Sequence, residues 1–228
     1  LFISNLGEKP TVKNKKGFIS IVDLKGTVTK PRWVTGLNAP KGMGIVGEFL
    51  YVTDSDRRLR ISIPKAAITK VWRVKGAKFL NDIAADAQGN IYVTDMLAKK
   101  IHLLKGDKLE TFLKVPYLRL HGLNTDGGTL WVGTAAGLAK IETASKKISL
   151  VIEHKGGIDG LKPFGKGRYL VSDWKGKVEI IEKGKAPVVL NDTSEKKINA
   201  ADFEYIPEKS LIIVPTFFDN RVMAYHLK

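Results

Sequence analysis

The chain has 228 residues, of which 43% are hydrophobic, so it can bury a sizeable core in one or two domains. It has no cysteine, which excludes a disulfide framework and thiolate chemistry, and no apolar run of about 18 residues, which argues against a membrane-spanning helix. The net charge of +15 favours anionic partners.

Lysine supplies most of the charge excess and is spread along the whole chain. It recurs in turn-like pairs at residues 15–16, 99–100, 146–147 and 196–197. Dispersed lysine indicates a solvated surface, whereas nucleic-acid readers gather arginine and aromatic residues on one face. We therefore predict no nucleic-acid partner.

Short segments of β-branched and aromatic residues recur about every 40 residues, and each ends in a small polar or acidic residue. The two clearest are Tyr51–Asp54 and Tyr92–Asp95. Their central valines are 41, 39, 39 and 43 residues apart, at Val52, Val93, Val132, Val171 and Val214. A period of roughly 40–50 residues with several strands per unit indicates a β-propeller. The predicted fold is all-β, a six-bladed propeller of four-stranded blades, in one domain covering residues 1–228.

The first three blades are predicted from strand-like runs separated by turns. In chain order their strands are Leu1–Ser4, Phe18–Asp23 and Arg32–Thr35; Lys41–Ile45, Phe49–Thr53, Leu59–Ile63 and Val71–Val74; and Asn81–Ala85, Ile91–Thr94, Lys100–Leu104 and Leu109–Leu113. Turns such as Gln88-Gly89-Asn90 supply the backbone freedom that tight reversals need.

The last three blades follow the same pattern. Their predicted strands are His121–Leu123, Leu130–Gly133, Leu138–Ile141 and Ile148–Ile152; Asp159–Leu161, Tyr169–Ser172, Val178–Ile181 and Pro187–Leu190; and Ala201–Tyr205, Leu211–Val214 and Arg221–His226. The first and last blades each lack one strand. Because the chain opens in a strand at Leu1 rather than at a methionine, we expect a further N-terminal segment that supplies both, and a signal peptide is compatible with this start.

Four of the five aligned positions where the innermost strands begin hold polar residues, which we expect to face the channel mouth. These positions are Lys41, Asn81, His121, Asp159 and Ala201, at spacings of 40, 40, 38 and 42 residues. Carboxylate and amide oxygens suit calcium, while an imidazole favours zinc or manganese. We predict a divalent cation held by Asp159, His121 and Asn81, with Lys41 attracting an anionic ligand. The alternative is that these groups bond only to one another and to water.

Aspartates and aromatic residues follow the second strands at the same end of the blades. Asp54, Asp95 and Asp173 are expected to accept backbone amide bonds in the following turns. Trp174, Phe217 and Phe218 lie just beyond the second strands of the last two blades. They are predicted either to form the floor of a ligand pocket or to pack the loops together.

Other catalytic signatures are missing from the sequence. No Gly-x-Ser-x-Gly elbow or phosphate-binding glycine loop occurs. His102, His154 and His226 fall in outer strands and are interpreted as structural. Nucleophilic serine catalysis therefore has no support.

The inner-strand segments Asn81–Asp95 and Asp159–Leu161 resemble those of regucalcin/gluconolactonase-like six-bladed propellers, and the arrangement is similar to NHL-repeat propellers. The nearest likeness is to a bacterial, often exported, subgroup without assigned activity, through Gly36–Gly44, Lys78–Asp86 and Asn199–Ala224. The resemblance implies a periplasmic or secreted monomer, with the cytoplasm as the open alternative.

In that family a first-blade Glu, a fourth-blade Asn and a fifth-blade Asp hold a divalent cation. Asp159 matches the Asp, and Asn81 matches a third-blade Asn that contacts substrate; His121 stands where the family has the fourth-blade Asn, and the Glu would precede Leu1. The resemblance implies metal-dependent hydrolysis of lactones or similar small esters, with Asp159 as ligand and catalytic base. The alternative is a non-catalytic scaffold that binds a protein, a glycan or a small ligand.

Overall fold

A computed structural model describes residues 1–227. Within them, 22 strands form six antiparallel sheets, and three short 3₁₀ turns are the only helical parts. The sheets are the blades of a six-bladed β-propeller, which confirms the predicted fold class. The chain divides into two compact units, Leu1–Val115 and Pro116–Lys228, each with three blades. That residues 1–228 form a single domain stays a prediction.

The N-terminal unit holds one three-stranded and two four-stranded blades. Its strands are β1 (Phe2–Asn5), β2 (Gly17–Val22) and β3 (Val28–Leu37); β4 (Pro40–Val46), β5 (Phe49–Asp54), β6 (Arg57–Ser62) and β7 (Ala67–Arg73); and β8 (Leu80–Ala85), β9 (Ile91–Asp95), β10 (Lys100–Lys105) and β11 (Lys108–Lys114). Each blade is a meander in which successive strands pair. The first strands β4 and β8 contact each other, as expected for innermost strands.

The C-terminal unit holds two four-stranded blades and a final three-stranded one. Its strands are β12 (Leu123–Asp126), β13 (Thr129–Thr134), β14 (Gly137–Glu142) and β15 (Ile148–Glu153); β16 (Leu161–Pro163), β17 (Arg168–Ser172), β18 (Lys177–Glu182) and β19 (Val188–Asp192); and β20 (Glu204–Ile206), β21 (Leu211–Pro215) and β22 (Val222–His226). The 3₁₀ turns are Ser194–Lys196, Pro207–Lys209 and Phe217–Asp219.

The first strands of the last three blades begin later than predicted. They begin two or three residues after His121, Asp159 and Ala201. Pairing nevertheless reaches these residues, because the His121 amide donates to Gly133 O at 3.1 Å and the Asp159 amide donates to Ser172 O at 2.7 Å. The polar positions are therefore fixed by the backbone of the second strand, although they precede the regular ladder.

The core lies between neighbouring blades of each unit, and the repeated valines belong to it. Val52, Val93, Val132, Val171 and Val214 are all at most 3% exposed. Between the first two blades Ile19 and Leu37 pack with Leu50 and Leu59, and similar clusters join the later pairs. Burying this apolar surface stabilises the blades, which explains why the period is visible in the sequence.

Two glycines allow close contacts between inner segments of the C-terminal unit. A Cβ on Gly122 would lie 2.7 Å from the Asp159 carbonyl oxygen, and one on Gly160 would lie 2.5 Å from the Phe203 ring. Any other residue would force the segments apart. Each glycine directly follows a polar site position, so it brings neighbouring site residues together.

The aspartates that end the second strands anchor loops. Asp54 accepts the amides of Asn38 and Ala39 at 2.8 and 2.7 Å, which lie before the inner strand rather than in the following turn. Asp95 accepts amides from the loop before the inner strand and from the following turn. Asp173 accepts the amides of Gly176 and Lys177, which follow it. All three therefore anchor loops. Asp95 and Asp173 accept amides of the following turn as predicted, whereas the two amides that Asp54 accepts lie before the inner strand, which differs from the prediction.

Across residues 1–227 no helix is long and apolar enough to cross a membrane.

Candidate functional site

The predicted site residues fall in both units. Lys41 and Asn81 belong to the N-terminal unit, while His121, Asp159, Trp174 and Phe217 belong to the C-terminal unit.

Lys41 lies in β4 with its amine partly withdrawn from solvent. Its Nζ donates to the Ala39 carbonyl at 3.0 Å and lies 4.5 Å from the centre of the Phe79 ring. Burial lowers the pKa of the amine to about 8, against the opposing attraction of the Asp54 carboxylate. A lysine of this kind can bind an anion or, when neutral, accept a proton.

Asn81 lies in β8, next to the inner strand of the second blade. Its carbonyl accepts a hydrogen bond from Thr53 Oγ1 at 2.5 Å, and a Cβ on Gly42 would lie 2.6 Å from the same oxygen. The backbone of Asn81 is thus clamped by its neighbouring blade.

His121 and Asp159 meet in the C-terminal unit. His121 Nδ1 lies 2.7 Å from Asp159 Oδ1, and the two side chains are 20% and 11% exposed. Both residues sit where inner segments begin, in neighbouring blades, and Gly122 permits the approach. A carboxylate on Nδ1 fixes the imidazole tautomer that leaves Nε2 as the proton-exchanging atom.

Asp202 adds a second carboxyl group from the last blade. Burial raises its pKa to about 6; the carboxylates of Asp159 and Glu204 act in the same direction, and Lys162 opposes them. Lys162 is itself paired with Glu204 at 3.0 Å. The unit thus carries two neighbouring carboxyl groups, one bonded to a histidine and one that keeps its proton to higher pH.

Ser172 joins the fifth and sixth blades beneath these groups. Its hydroxyl accepts from the Gly160 amide at 2.9 Å and donates to the Ala201 carbonyl at 2.8 Å. The Ala201 amide in turn donates to Pro215 O at 3.3 Å. The backbone next to Asp159 and next to Asp202 is therefore fixed by hydrogen bonds.

Three aromatic rings cluster just beyond these bonds. The Trp174 ring centre lies 4.5 Å from that of Phe217 and 6.1 Å from that of Phe218, and the two phenylalanine rings are 4.7 Å apart. All three contacts are edge-to-face, so the rings do pack the loops together, as one of the two alternatives predicted. Trp174 nevertheless stays 41% exposed and Phe218 67% exposed.

Two of the three residues predicted to hold a divalent cation, His121 and Asp159, lie together. Asp159 and His121 bond to each other through Oδ1 and Nδ1. Among residues 1–227 no group of three or more His, Cys, Asp or Glu side chains could hold a metal ion. The cation predicted on Asp159, His121 and Asn81 therefore stays a prediction, and no chemical step is assigned to it.

Two parts of this site have only weak signals in the sequence. Asp202 directly follows the inner-strand position Ala201, but its burial depends on segments distant in sequence. Phe217 has a positive φ of 51°, and no glycine or asparagine at this position predicts it. The pairing of His121 with Asp159 has a clearer signal, since each is followed by glycine.

No protein-family model matches the sequence, and no curated protein matches it. Solved structures do resemble it. A catalytically inactive His-to-Ala variant of virginiamycin B lyase from Staphylococcus aureus, crystallised with quinupristin, matches with a TM-score of 0.67 and 14% identity over 95% of this chain and 74% of that chain. A nidogen/laminin complex matches with a TM-score of 0.71 and 15% identity over 95% and 92% of the two chains. These likenesses establish the fold, which an enzyme and a protein-binding complex share.

Proposed function

We propose that the chain hydrolyses a small lactone or ester with His121 and Asp159 acting as one acid–base pair. The observation that carries this proposal is the 2.7 Å contact between His121 Nδ1 and Asp159 Oδ1 in partly exposed side chains. A histidine oriented by a carboxylate is a common general base. The resemblance to gluconolactonase-like propellers suggests the substrate class.

The reaction needs only proton transfers and water. His121 Nε2 takes a proton from water as the water oxygen bonds to the carbonyl carbon. The bond from that carbon to the ring oxygen then breaks, and the leaving oxygen receives a proton. Asp159 keeps the imidazole oriented and stabilises its charged form.

Asp202 is the candidate donor of the second proton. Because its pKa is raised to about 6, its protonated form persists to higher pH than that of an ordinary aspartate. If the protonated form is needed, kcat should fall as pH rises through about 6, and Asp202→Asn should remove that dependence. An unchanged pH profile in this variant would rule out the donor role.

The proposal is tested by following acid release from γ-butyrolactone. Asp159→Asn keeps the shape but removes the charge and should lower kcat by about 100-fold or more. Asp126→Asn changes an exposed aspartate of the same unit and serves as the matched control. Equal rates in the two variants would contradict the proposal. Parallel assays with EDTA and with added calcium, zinc or manganese test the predicted cation separately.

A second candidate function is a binding scaffold, favoured by the net charge of +15 and by the structural likeness to a nidogen/laminin complex. In this case the basic surface steers an acidic protein or glycan towards the chain. Binding to immobilised polyglutamate should then weaken steeply as salt rises, without turnover of any lactone. Salt-insensitive binding would argue against this role.

A further inference from the structure

An exposed cluster of three aromatic rings, Trp174, Phe217 and Phe218, stands out on the C-terminal unit. Large apolar side chains are usually buried, and clustered exposed ones often mark a binding site. Trp174 and Phe218 are 41% and 67% exposed although both touch other rings. Folding alone does not require rings to be displayed in this way.

The backbone at Phe217 is strained. Its φ is +51°, in the left-handed region that a bulky side chain rarely adopts. The conformation belongs to the 3₁₀ turn Phe217–Asp219, which Asn220 closes with its own positive φ of 55°. Such strain costs about 1–3 kcal/mol and clusters at ligand sites. In this conformation the centre of the Phe217 ring lies 4.5 Å from that of the Trp174 ring.

The cluster is tied to the segments that carry Asp159 and Asp202. Trp174 follows by two residues Ser172, whose carbonyl accepts the Asp159 amide at 2.7 Å. Phe217 follows by two residues Pro215, whose carbonyl accepts the Ala201 amide next to Asp202. Asn199 Nδ2 also donates to the Trp174 carbonyl at 2.8 Å. The rings therefore lie at the same end of the blades as the acid–base groups.

We infer that Trp174, Phe217 and Phe218 bind an aryl group of the ligand whose carbonyl reaches His121 and Asp159. This inference rests on the proposed function and names its substrate class, an aryl-substituted lactone or ester. Aromatic pairs favour edge-to-face and offset-stacked contacts, which the exposed Trp174 and Phe218 rings can offer to a further ring.

The size and polarity of the cluster favour a small aryl ligand. Three side chains can cover one ring, whereas a protein partner needs about 800 Å² on each side. Asp219 and Arg221, which follow Phe218 in the same loop, are paired with each other at 2.6 Å. The rings themselves thus form the apolar part of the site.

A matched pair of substrates tests the inference. γ-Phenyl-γ-butyrolactone carries the same reacting ring as γ-butyrolactone plus one phenyl group. The phenyl compound should have a kcat/KM roughly tenfold higher. Trp174→Ala and Phe218→Ala should bring this ratio close to one, while Leu118→Ala, an exposed leucine of the same unit, should leave it unchanged.

Binding is measured independently of turnover with the corresponding unreactive lactams. The phenyl-substituted lactam should quench tryptophan fluorescence and bind roughly tenfold more tightly than the unsubstituted lactam. The chain has four tryptophans, so Trp174→Phe identifies the source of the signal.

The outcomes separate the two proposals. If neither lactone is hydrolysed, the proposed function fails. Lactam binding alone then shows whether Trp174, Phe217 and Phe218 form an aryl-binding site, here called the ring site. Equal binding of the two lactams overturns the ring site, whether or not hydrolysis occurs. A phenyl preference that survives both alanine variants overturns it as well.

Discussion

At the scale of single residues, Lys41 places a positive charge on an inner strand. Burial lowers the pKa of its amine to about 8, from an ordinary 10.5. Between these values the unfolded chain holds the proton and the folded chain does not, so the free energy of unfolding should rise with pH. Below about pH 8 the buried charge therefore costs stability.

Replacing Lys41 by methionine should remove this cost. At pH 7 the free energy of unfolding of Lys41→Met should exceed that of the parent by about 2 kcal/mol, and the difference should shrink towards pH 10. Denaturant unfolding at several pH values measures it, with the exposed Lys105→Met as control. A difference that does not depend on pH would contradict the account.

Arg58 is a second buried cation in the same blade. Its side chain has no solvent exposure, and its guanidinium carbon lies 4.3 Å from the centre of the Trp72 ring and 5.4 Å from that of Tyr51. None of its three nitrogens has a hydrogen-bond partner in the part of the chain that the structure describes. Burial lowers the pKa of the guanidinium to about 10, against the attraction of Tyr51 and Asp107.

Arg58 should therefore tolerate an apolar replacement better than a conservative one. Arg58→Met should leave the free energy of unfolding unchanged or raise it by about 1–4 kcal/mol, because no unpaired charge remains buried. Arg58→Lys should lower it, since an ammonium is more strongly hydrated and loses the planar stacking. Thermal unfolding of both variants measures the difference. A methionine variant that is less stable than the lysine variant would refute the interpretation.

At the scale of elements, the blades could be predicted because each strand repeats the same buried pattern. Val52 and its four counterparts are core residues, so their spacing reports the blade period directly. Strand ends were less predictable. The polar residues His121 and Asp159 precede regular pairing, although backbone bonds to the neighbouring strand hold them.

The candidate site was predictable in position but not in chemistry. The inner-strand alignment identified His121 and Asp159, yet their direct contact depends on the tight packing around Gly122. The raised pKa of Asp202 and the positive φ of Phe217 arise from tertiary packing, which leaves no local pattern.

Gly122 provides the test at this scale. Gly122→Ala should lower the free energy of unfolding by about 1–3 kcal/mol, because its Cβ would meet the Asp159 carbonyl at 2.7 Å. It should also separate His121 from Asp159 and reduce turnover. Gly165→Ala, at a positive φ with open space around the new Cβ, is the control and should cost only about 1 kcal/mol without affecting turnover. Equal turnover in the two variants would show that packing at Gly122 does not position the pair.

At the scale of the whole molecule, the fold is shared by a lyase and by a protein-binding complex, so it does not decide the function. The function must be argued from the side chains. The C-terminal unit concentrates a histidine–aspartate pair, a second carboxyl group with a raised pKa and an exposed aromatic cluster at one end of its blades. Location, oligomeric state and the divalent cation stay predictions.

The most direct test of the account is a double-mutant cycle on lactone hydrolysis with His121→Gln, Asp159→Asn and the double variant, each checked for folding by circular dichroism. If the two side chains act as one unit, each single variant should lose about 100-fold in kcat and the double variant should be no slower than the slower single one. Losses that multiply in the double variant, or a parent protein without turnover, would contradict the claim that His121 and Asp159 form the catalytic pair.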